Sequence, residues 1–424
     1  MSDTIYALSS GRPPAAIAVV RVSGPAAGDA LLRMTGTLPR PRVASLRTLR
    51  GHDGEILDRA LSLYFPGPAT ATGEDLVELH LHGGRAIVAA VEHTLSRFPG
   101  LRLAEPGEFT RRALQNGRLD LLQAEGLADL LEAETETQRR VAIAAAEGHV
   151  SQLTQSWLDR ASAIGARVEA EVDFGDEDDV ASQAGYDPTV DAAALASDLE
   201  AVLNRPSVER LRDGVTVTLA GPRNAGKSSL FNALLEREAA IVTPIAGTTR
   251  DVLEASITRR GVPYRLIDTA GLTEHTDDDV ERIGIAKARS IVDRADIVLW
   301  LGDAALAPPG SLRVASQCDL RSPDDDCDLA TSVHQPETIV HLWDLIDHRA
   351  RDIVTIAEPV TLHDRQRQRL RSALNELQSL DGTVDPLLQA EHLRVATQHL
   401  AALLGRDATE VMLDALFSRF CLGK

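Results

Sequence analysis

Residues 221–228 read Gly221-Pro222-Arg223-Asn224-Ala225-Gly226-Lys227-Ser228, a Gly-x-x-x-x-Gly-Lys-Ser run. These residue types suit the holding of a phosphate. Glycines let backbone N–H groups turn inward around anionic oxygens, and a following helix N-terminus adds favourable potential. Lys227 can reach β- and γ-phosphates, and the Ser228 hydroxyl can ligate Mg²⁺. The required context is present: a strand-like Val215–Ala220 precedes the run and a helical Ser229–Leu235 follows it. Two further elements follow in order. Gly247-Thr248-Thr249-Arg250-Asp251 offers a threonine hydroxyl that can complete a Mg²⁺ shell when a γ-phosphate is present; its plainer reading is a turn with a helix cap. Asp268-Thr269-Ala270-Gly271, after the strand Tyr264–Ile267, puts a carboxylate where it can hold Mg²⁺ through water and a glycine N–H where it can meet a γ-phosphate. This order points to GTP hydrolysis rather than to a kinase.

The elements that must position these residues form an alternating strand–helix block over residues 212–355, which predicts a parallel-rich sheet. On either side the texture is helical. Residues 119–209 are rich in Ala, Glu, Leu and Gln, with apolar positions three and four apart, as in Leu127, Leu130 and Leu131. Helices return over Arg365–Leu380, Pro386–Leu404 and Thr409–Phe420. Residues 1–118 mix the two periods. Ala16–Val22 reads as a buried strand, Asp75–His82 as a half-buried one, and the stretch to Phe98 as a helix. The expectation is a multidomain α/β chain. An α+β domain spans 1–118, a helical domain is built from 119–211 and 356–424, and a Ras-like P-loop domain is inserted at 212–355.

Composition narrows the classes. The chain has 424 residues, a net charge of −19 and 3% aromatic residues. That excludes a basic coat for nucleic acid and an extensive base-stacking platform, so any RNA contact runs through a local patch or a partner. The three cysteines, Cys318, Cys327 and Cys421, form no Cys-x-x-Cys pair and suit a reducing cytoplasm. No leader-like N-terminus and no apolar run of about 20 residues is seen, so a cytoplasmic location without membrane contact is expected. His80 and His82 share a strand face, which could suggest a metal pair, but no third ligand stands at suitable spacing and a structural role is favoured. The acidic run 173–179 reads as a solvated loop in preference to a metal site.

Taken together, these stretches resemble the MnmE (TrmE) family of tRNA-modifying GTPases. The resemblance rests on Asn224–Ser229, Gly247–Asp251 and Asp268–Gly271. It extends to Asp3-Thr4-Ile5, Arg21–Pro25, Gly73-Glu74-Asp75, His82-Gly83-Gly84, Pro106–Ala113, Asn116–Asp120 and the closing Phe420-Cys421-Leu422-Gly423-Lys424, and so covers the whole chain. It implies a GTP site at Asn224, Ala225, Gly226, Lys227, Ser228 and Ser229, at Thr243, Pro244, Ile245, Ala246, Gly247, Thr248 and Thr249, and at Asp268, Thr269, Ala270, Gly271 and Asp319. Mg²⁺ falls to Ser228 and Thr249. K⁺, taking the part of an arginine finger, falls to Asn224, Thr243, Ile245 and Thr248. Glu281 is implied to position the attacking water, although its residues alone read as an exposed helix-start acid. A tetrahydrofolate derivative (5-formyl or methylene) falls to Arg21, Glu78, Arg118 and Lys424. Arg118 stands where the family commonly has lysine. Cys421 matches a cysteine suspected of a chemical role, against the plainer reading of a small apolar residue near a chain end. The family further implies a homodimer whose G domains meet across the nucleotide. It implies an FAD-dependent MnmG (GidA) partner that brings the flavin and NADH chemistry, and addition of a carboxymethylaminomethyl-type group at C5 of the tRNA wobble uridine, U34.

The sequence departs from the family where it would read guanine. Ser316-Gln317-Cys318-Asp319 stands in place of Asn-Lys-x-Asp, and Thr331-Ser332-Val333 in place of the usual Ser-Ala loop. Asp319 keeps its capacity to accept from the guanine N1–H and 2-amino group, and the expectation is weak nucleotide binding with hydrolysis retained. Pro222-Arg223 reverses the family's usual order and removes one backbone N–H from the loop. Two other classes compete. A ribosome-assembly GTPase would carry a basic RNA-binding domain and lack the 1–118 block. A regulatory nucleotide switch would bind without turnover.

Overall fold

The structure, a computed structural model, describes residues 3–174, 186–222, 224–236, 252–269, 290–320, 326–354, 360–381, 383, 385–406, 409–418, 420 and 423. The described helices are α1 (Ala27–Thr35), α2 (Arg85–Ser96), α3 (Glu108–Gln115), α4 (Leu121–Glu132), α5 (Glu136–Ala146), α6 (His149–Phe174), α7 (Pro188–Leu203) and α8 (Val208–Asp213), then α9 (Lys227–Glu236), α10 (Pro336–Val354), α11 (Asp364–Gln378), α12 (Pro386–Leu403) and α13 (Glu410–Phe417). The chain separates into two compact units.

The first unit comprises Met1–Leu131, Ala145–Tyr186 and Thr383–Lys424. Its sheet uses β1 (Thr4–Leu8), β2 (Ile17–Ser23), β3 (Ser45–Arg50), β4 (Ile56–Phe65), β5 (Leu76–His82) and β6 (Leu101–Leu103), in the order β3-β4-β5-β2-β1-β6. All neighbours are antiparallel except β1 and β6. Alternation along β2 and β5 sends Val20, Val22, Val77, Leu79 and Leu81 into a core with Leu31, Met34, Val91 and Leu95 of α1 and α2. The opposite face then carries Arg21, Ser23, Glu78 and His80. Both expected strands are present, each starting one residue later than read from sequence.

In α4 the buried face is Leu121, Ala124 and Ala128, packed against Leu413, Leu416 and Phe417 of α13. The expected stripe is displaced from this face, since Leu131 is 43% exposed. On another side of α4, Gly126 meets the end of α5, where a Cβ would stand 2.6 Å from Ala146 N, so glycine lets the two helices approach there. α7 and α12 start alike. Asp187 and Asp385 accept from the N–H groups of Thr189 and Leu387, with proline at the first turn.

The second unit comprises Glu132–Ala144 and Asp187–Gly382. Its sheet contains β7 (Val215–Ala220), β8 (Val252–Arg259), β9 (Val262–Thr269), β10 (Ile297–Trp300), β11 (Leu312–Ala315) and β12 (Leu329–Ala330). The order is β12-β11-β10-β7-β9-β8, parallel throughout except for β8 and β9. This is the parallel-rich sheet expected. β7 lies at its centre with Val215, Val217 and Leu219 fully buried, so the loop after it opens at the C-terminal edge of the sheet, where ligands of open α/β sheets sit. Asp347 of α10 ties the β8–β9 turn down, accepting from Tyr264 Oη at 2.6 Å and from Arg259 and Arg260 at 3.1 Å.

Candidate functional site

The phosphate loop runs from the end of β7 into α9. Gly221 has φ +145° and an added Cβ would strike the Leu301 carbonyl, while Gly226 has φ +87° and Asn224 φ +61°. A loop of this kind turns its N–H groups toward one point because glycine and asparagine tolerate the left-handed region. Pro222, the residue out of the family's order, is accommodated by Gly302, where a Cβ would stand 2.8 Å from the Pro222 ring. The helix begins at Lys227, two residues earlier than expected, so the orphan N–H groups of its first turn belong to the motif itself.

Lys227 is buried, and its Nζ donates to the carbonyls of Gly221 at 2.9 Å and Pro222 at 2.7 Å. Burial pushes its pKa down, against the opposing field of Asp268. Ser228 Oγ donates to Asp268 Oδ2 at 2.6 Å. Asp268 is 1% exposed, and its other oxygen, Oδ1, is buried with no hydrogen-bond partner among the described residues. A buried, unsatisfied carboxylate oxygen beside a serine hydroxyl is costly unless a cation or its water shell completes it. The residues present therefore fit Mg²⁺. Thr269 donates from Oγ1 to Leu219 O at 2.7 Å and locks the end of β9 to β7.

The segment expected to read guanine packs against the phosphate loop. Ser316 Oγ donates to Ala225 O at 2.6 Å, so a serine braces the phosphate loop from the position where the family uses asparagine. Gln317 takes φ +59°, which turns its side chain toward the loop; a Cβ on Gly226 would lie 3.6 Å from Gln317 Nε2. Asp319 is held below the usual carboxylate range by a hydrogen bond from Ser332. Sequence reading singled out Asp319 but missed the Ser316 brace and the Ser332 support. A hydroxyl at the asparagine position was the one available signal for the former.

In the first unit, Arg21 and Glu78 are cross-strand neighbours on β2 and β5, with Arg21 Nε donating to Glu78 Oε1 at 2.9 Å. Burial raises the Glu78 pKa, but His80 and Arg21 together outweigh it and the carboxyl is held low. Arg118 donates to Thr70 O at 3.0 Å, and Asn116 to Thr72 O at 2.7 Å. Thr72 in turn shares a 2.7 Å hydrogen bond with Ser23, two residues from Arg21 on the same face of β2. A chain of contacts thus joins the surroundings of Arg21 and Arg118. Near the other end, Ser9 Oγ donates to Gly423 O at 2.8 Å. Leu8 precedes Ser9 and pairs with Val20, so Gly423 lies at the end of β1 and β2 away from the Ser23–Ile5 pair, with Ala7 opposite Arg21 between the two ends.

His80 and His82 bond to different carboxylates, Glu78 at 3.2 Å and Asp58 at 2.7 Å, as structural residues do. Thr243, Pro244, Ile245, Ala246, Gly247, Thr248, Thr249, Ala270, Gly271, Glu281, Cys421 and Lys424 lie outside the described residues.

A phosphate loop beside an Asp-terminated parallel strand, in a sheet of this order, defines a P-loop nucleotide-binding domain of the Ras-like GTPase class. Comparison places it more closely. A model of the N-terminus of GTP-binding protein TrmE matches residues 4–118, and a model of the MnmE helical domain matches residues 121–421. A "tRNA modification GTPase MnmE" of Erythrobacter litoralis is 53% identical over 424 residues, covering 100% of both chains. The protein of that name from Rhizorhabdus wittichii is 54% identical over 429 residues, covering 100% of this chain and 97% of its own. The chain belongs to the MnmE family. Among solved structures, the G domain of the T. maritima FeoB iron transporter matches 32% of this chain and 98% of its own at 25% identity, with a TM-score of 0.25, too low to carry an argument.

Proposed function

We propose that the chain is a GTP hydrolase acting in tRNA modification, and that with an FAD-dependent, MnmG-like partner it adds a carboxymethylaminomethyl-type group at C5 of U34. The observation that carries the GTPase reading is the Ser228–Asp268 pair, with one carboxylate oxygen unsatisfied among the described residues, beside buried Lys227. Ser228 would hold Mg²⁺ directly, Asp268 through water, and Thr249 would complete the shell. Held there, the ion would supply charge neutralisation for phosphoryl transfer. Lys227 exchanges two carbonyl partners for phosphate oxygens, which keeps it oriented in either state. Asp319 selects guanine by accepting from N1–H and the 2-amino group.

Four finer assignments rest on the family. K⁺ at Asn224, Thr243, Ile245 and Thr248 takes the place of an arginine finger, and Glu281 positions the attacking water. Arg21, Glu78, Arg118 and Lys424 hold a tetrahydrofolate derivative, and Cys421 is the candidate for a role in the chemistry. The chain works as a homodimer in the cytoplasm, its G domains meeting across the nucleotide. The three-domain division at residues 118, 211 and 355 accompanies this reading. The test is GTP hydrolysis in K⁺ and in Na⁺ at equal ionic strength, with ATP as control. Faster GTP turnover in K⁺ with ATP inert is the expected result. Equal, slow turnover in both cations would remove K⁺ from the mechanism.

A further inference from the structure

Charge is divided very unevenly along this acidic chain. Residues 1–118 hold fourteen arginines and eleven acidic residues, a net of +3, so the other 306 residues carry −22. Within the first block, no acid occurs between Asp29 and Asp53, while Arg33, Arg40, Arg42, Arg47 and Arg50 all do. These arginines occupy the end of α1, the loop after it and β3, the outermost strand of the sheet. Arg59 on β4 stands opposite Thr48 of β3, on the sheet face away from Arg47, and adds a charge beside the same outer edge.

All but Arg47 are exposed, and Arg47 is half-buried. Their partners are neutral. Arg42 reaches Ala69 O and lies over the Phe65 ring, Arg33 lies over the Phe98 ring, and Arg50 donates to Gly54 O at 2.9 Å. None of the six guanidinium groups meets a carboxylate among the described residues. Elsewhere in the same domain, Arg21, Arg102, Arg111 and Arg112 each do. Charged residues on an outermost strand also guard it against pairing with other strands. That accounts for Arg47 and Arg50 but not for Arg33, Arg40 or Arg42 off the strand, and a guard needs no single sign.

We propose that this arginine strip is the chain's own contact to the phosphate backbone of RNA. It rests on the reading that the chain acts on tRNA. Arginines spread along a strand and a loop match a row of phosphates rather than one anion. Contacts of this kind position an RNA without reading its sequence, which leaves base selection to the site of chemistry.

The experiment uses the full chain with Arg40→Ala, Arg50→Ala and Arg59→Ala combined, and a transcribed tRNA titrated by fluorescence anisotropy from 50 to 200 mM KCl. The expected result is at least about tenfold weaker binding at 100 mM salt and a salt slope shallower by about 2. GTP hydrolysis without RNA and the sedimentation mass stay unchanged. Arg50 also braces the β3–β4 turn, so the Arg40→Ala and Arg59→Ala pair is measured beside it, with a slope change of about 1–2 expected. Unchanged affinity and slope overturn the proposal. So does a fall in mass with RNA binding intact, which makes the strip a protein interface. Wild-type chain that binds no tRNA also overturns it. The tRNA-modification reading is judged separately, by the modified uridine formed when the FAD-dependent partner is present.

Discussion

The hydroxyl of Ser228 donates to Asp268 Oδ2 at 2.6 Å, joining the first turn of α9 to the last residues of β9. With Asp268 Oδ1 buried and without a partner among the described residues, the pair is the described part of the cation site proposed above. Ser228→Ala removes the direct ligand, and Asp268→Asn keeps the hydrogen bond while removing the charge. Both are expected to lower kcat for GTP roughly 10²-fold or more, since metal stabilisation of phosphoryl transfer is worth several kcal/mol. The measurement is turnover against Mg²⁺ concentration. A variant with a wild-type Mg²⁺ response would place the metal elsewhere.

Ser316 supports the phosphate loop through a 2.6 Å bond to Ala225 O. Ser316→Ala is expected to cost about 0.5–1.5 kcal/mol, the net worth of one hydrogen bond, and so to weaken GDP binding roughly two- to tenfold. Returning Asn and Lys at positions 316 and 317 is expected to tighten it, because serine braces the loop but is too short to reach a base as well. Titration with a fluorescent GDP analogue measures both. A nanomolar dissociation constant for the unaltered chain would refute the weak binding expected from this altered segment.

What the sequence disclosed depended on distance along the chain. β7, the phosphate loop and α9 are contiguous, so their pattern was readable, and Asp268 was legible because it ends an apolar strand. Contacts between distant residues were not. Ser316 and Ala225 are 91 positions apart, and Tyr264 and Asp347 83. No local periodicity encodes such a meeting. Helix faces were legible only in part. The α4 pattern gives a helix, but the side that packs carries Leu121, Ala124 and Ala128 rather than Leu131.

Glu209 and His363 join α8 to the residue before α11, with His363 Nδ1 at 2.9 Å from one carboxylate oxygen and the Asp364 N–H at 3.0 Å from the other. Burial raises the Glu209 pKa, but these bonds and the α8 backbone outweigh it, and the carboxyl is pulled down to about 2. A depressed carboxyl contributes stability that is complete above its ordinary value of 4.5 and is lost as pH falls from there toward about 2. The Glu209 side chain is 29% exposed, so solvent screening holds the cost of Glu209→Gln to about 1 kcal/mol at neutral pH. Thermal midpoints at pH 7 and pH 4 are expected to differ between wild type and variant by less at the lower pH. A difference independent of pH would assign the effect to packing rather than to charge.

Gly423 holds the chain terminus against the N-terminal sheet, and it does so in a conformation that suits glycine alone. Its φ is +90°, and an added Cβ would lie 2.7 Å from both Ser9 Cα and Ser9 Oγ. Gly423→Ala therefore meets left-handed strain of about 1–2 kcal/mol together with a backbone collision. The terminus at Gly423 is expected to leave its place beside Ser9. Ser9→Ala removes only the 2.8 Å hydrogen bond to Gly423 O and is the milder control. If the tail completes a folate site around Arg21 and Glu78, Gly423→Ala weakens binding of 5-formyl-tetrahydrofolate by more than about tenfold, Ser9→Ala by about three- to fivefold, and neither alters GTP turnover. Calorimetric titration with the folate separates the cases. Full affinity in Gly423→Ala would mean that the terminus is seated for stability and that Arg21, Glu78 and Arg118 serve the ligand without it.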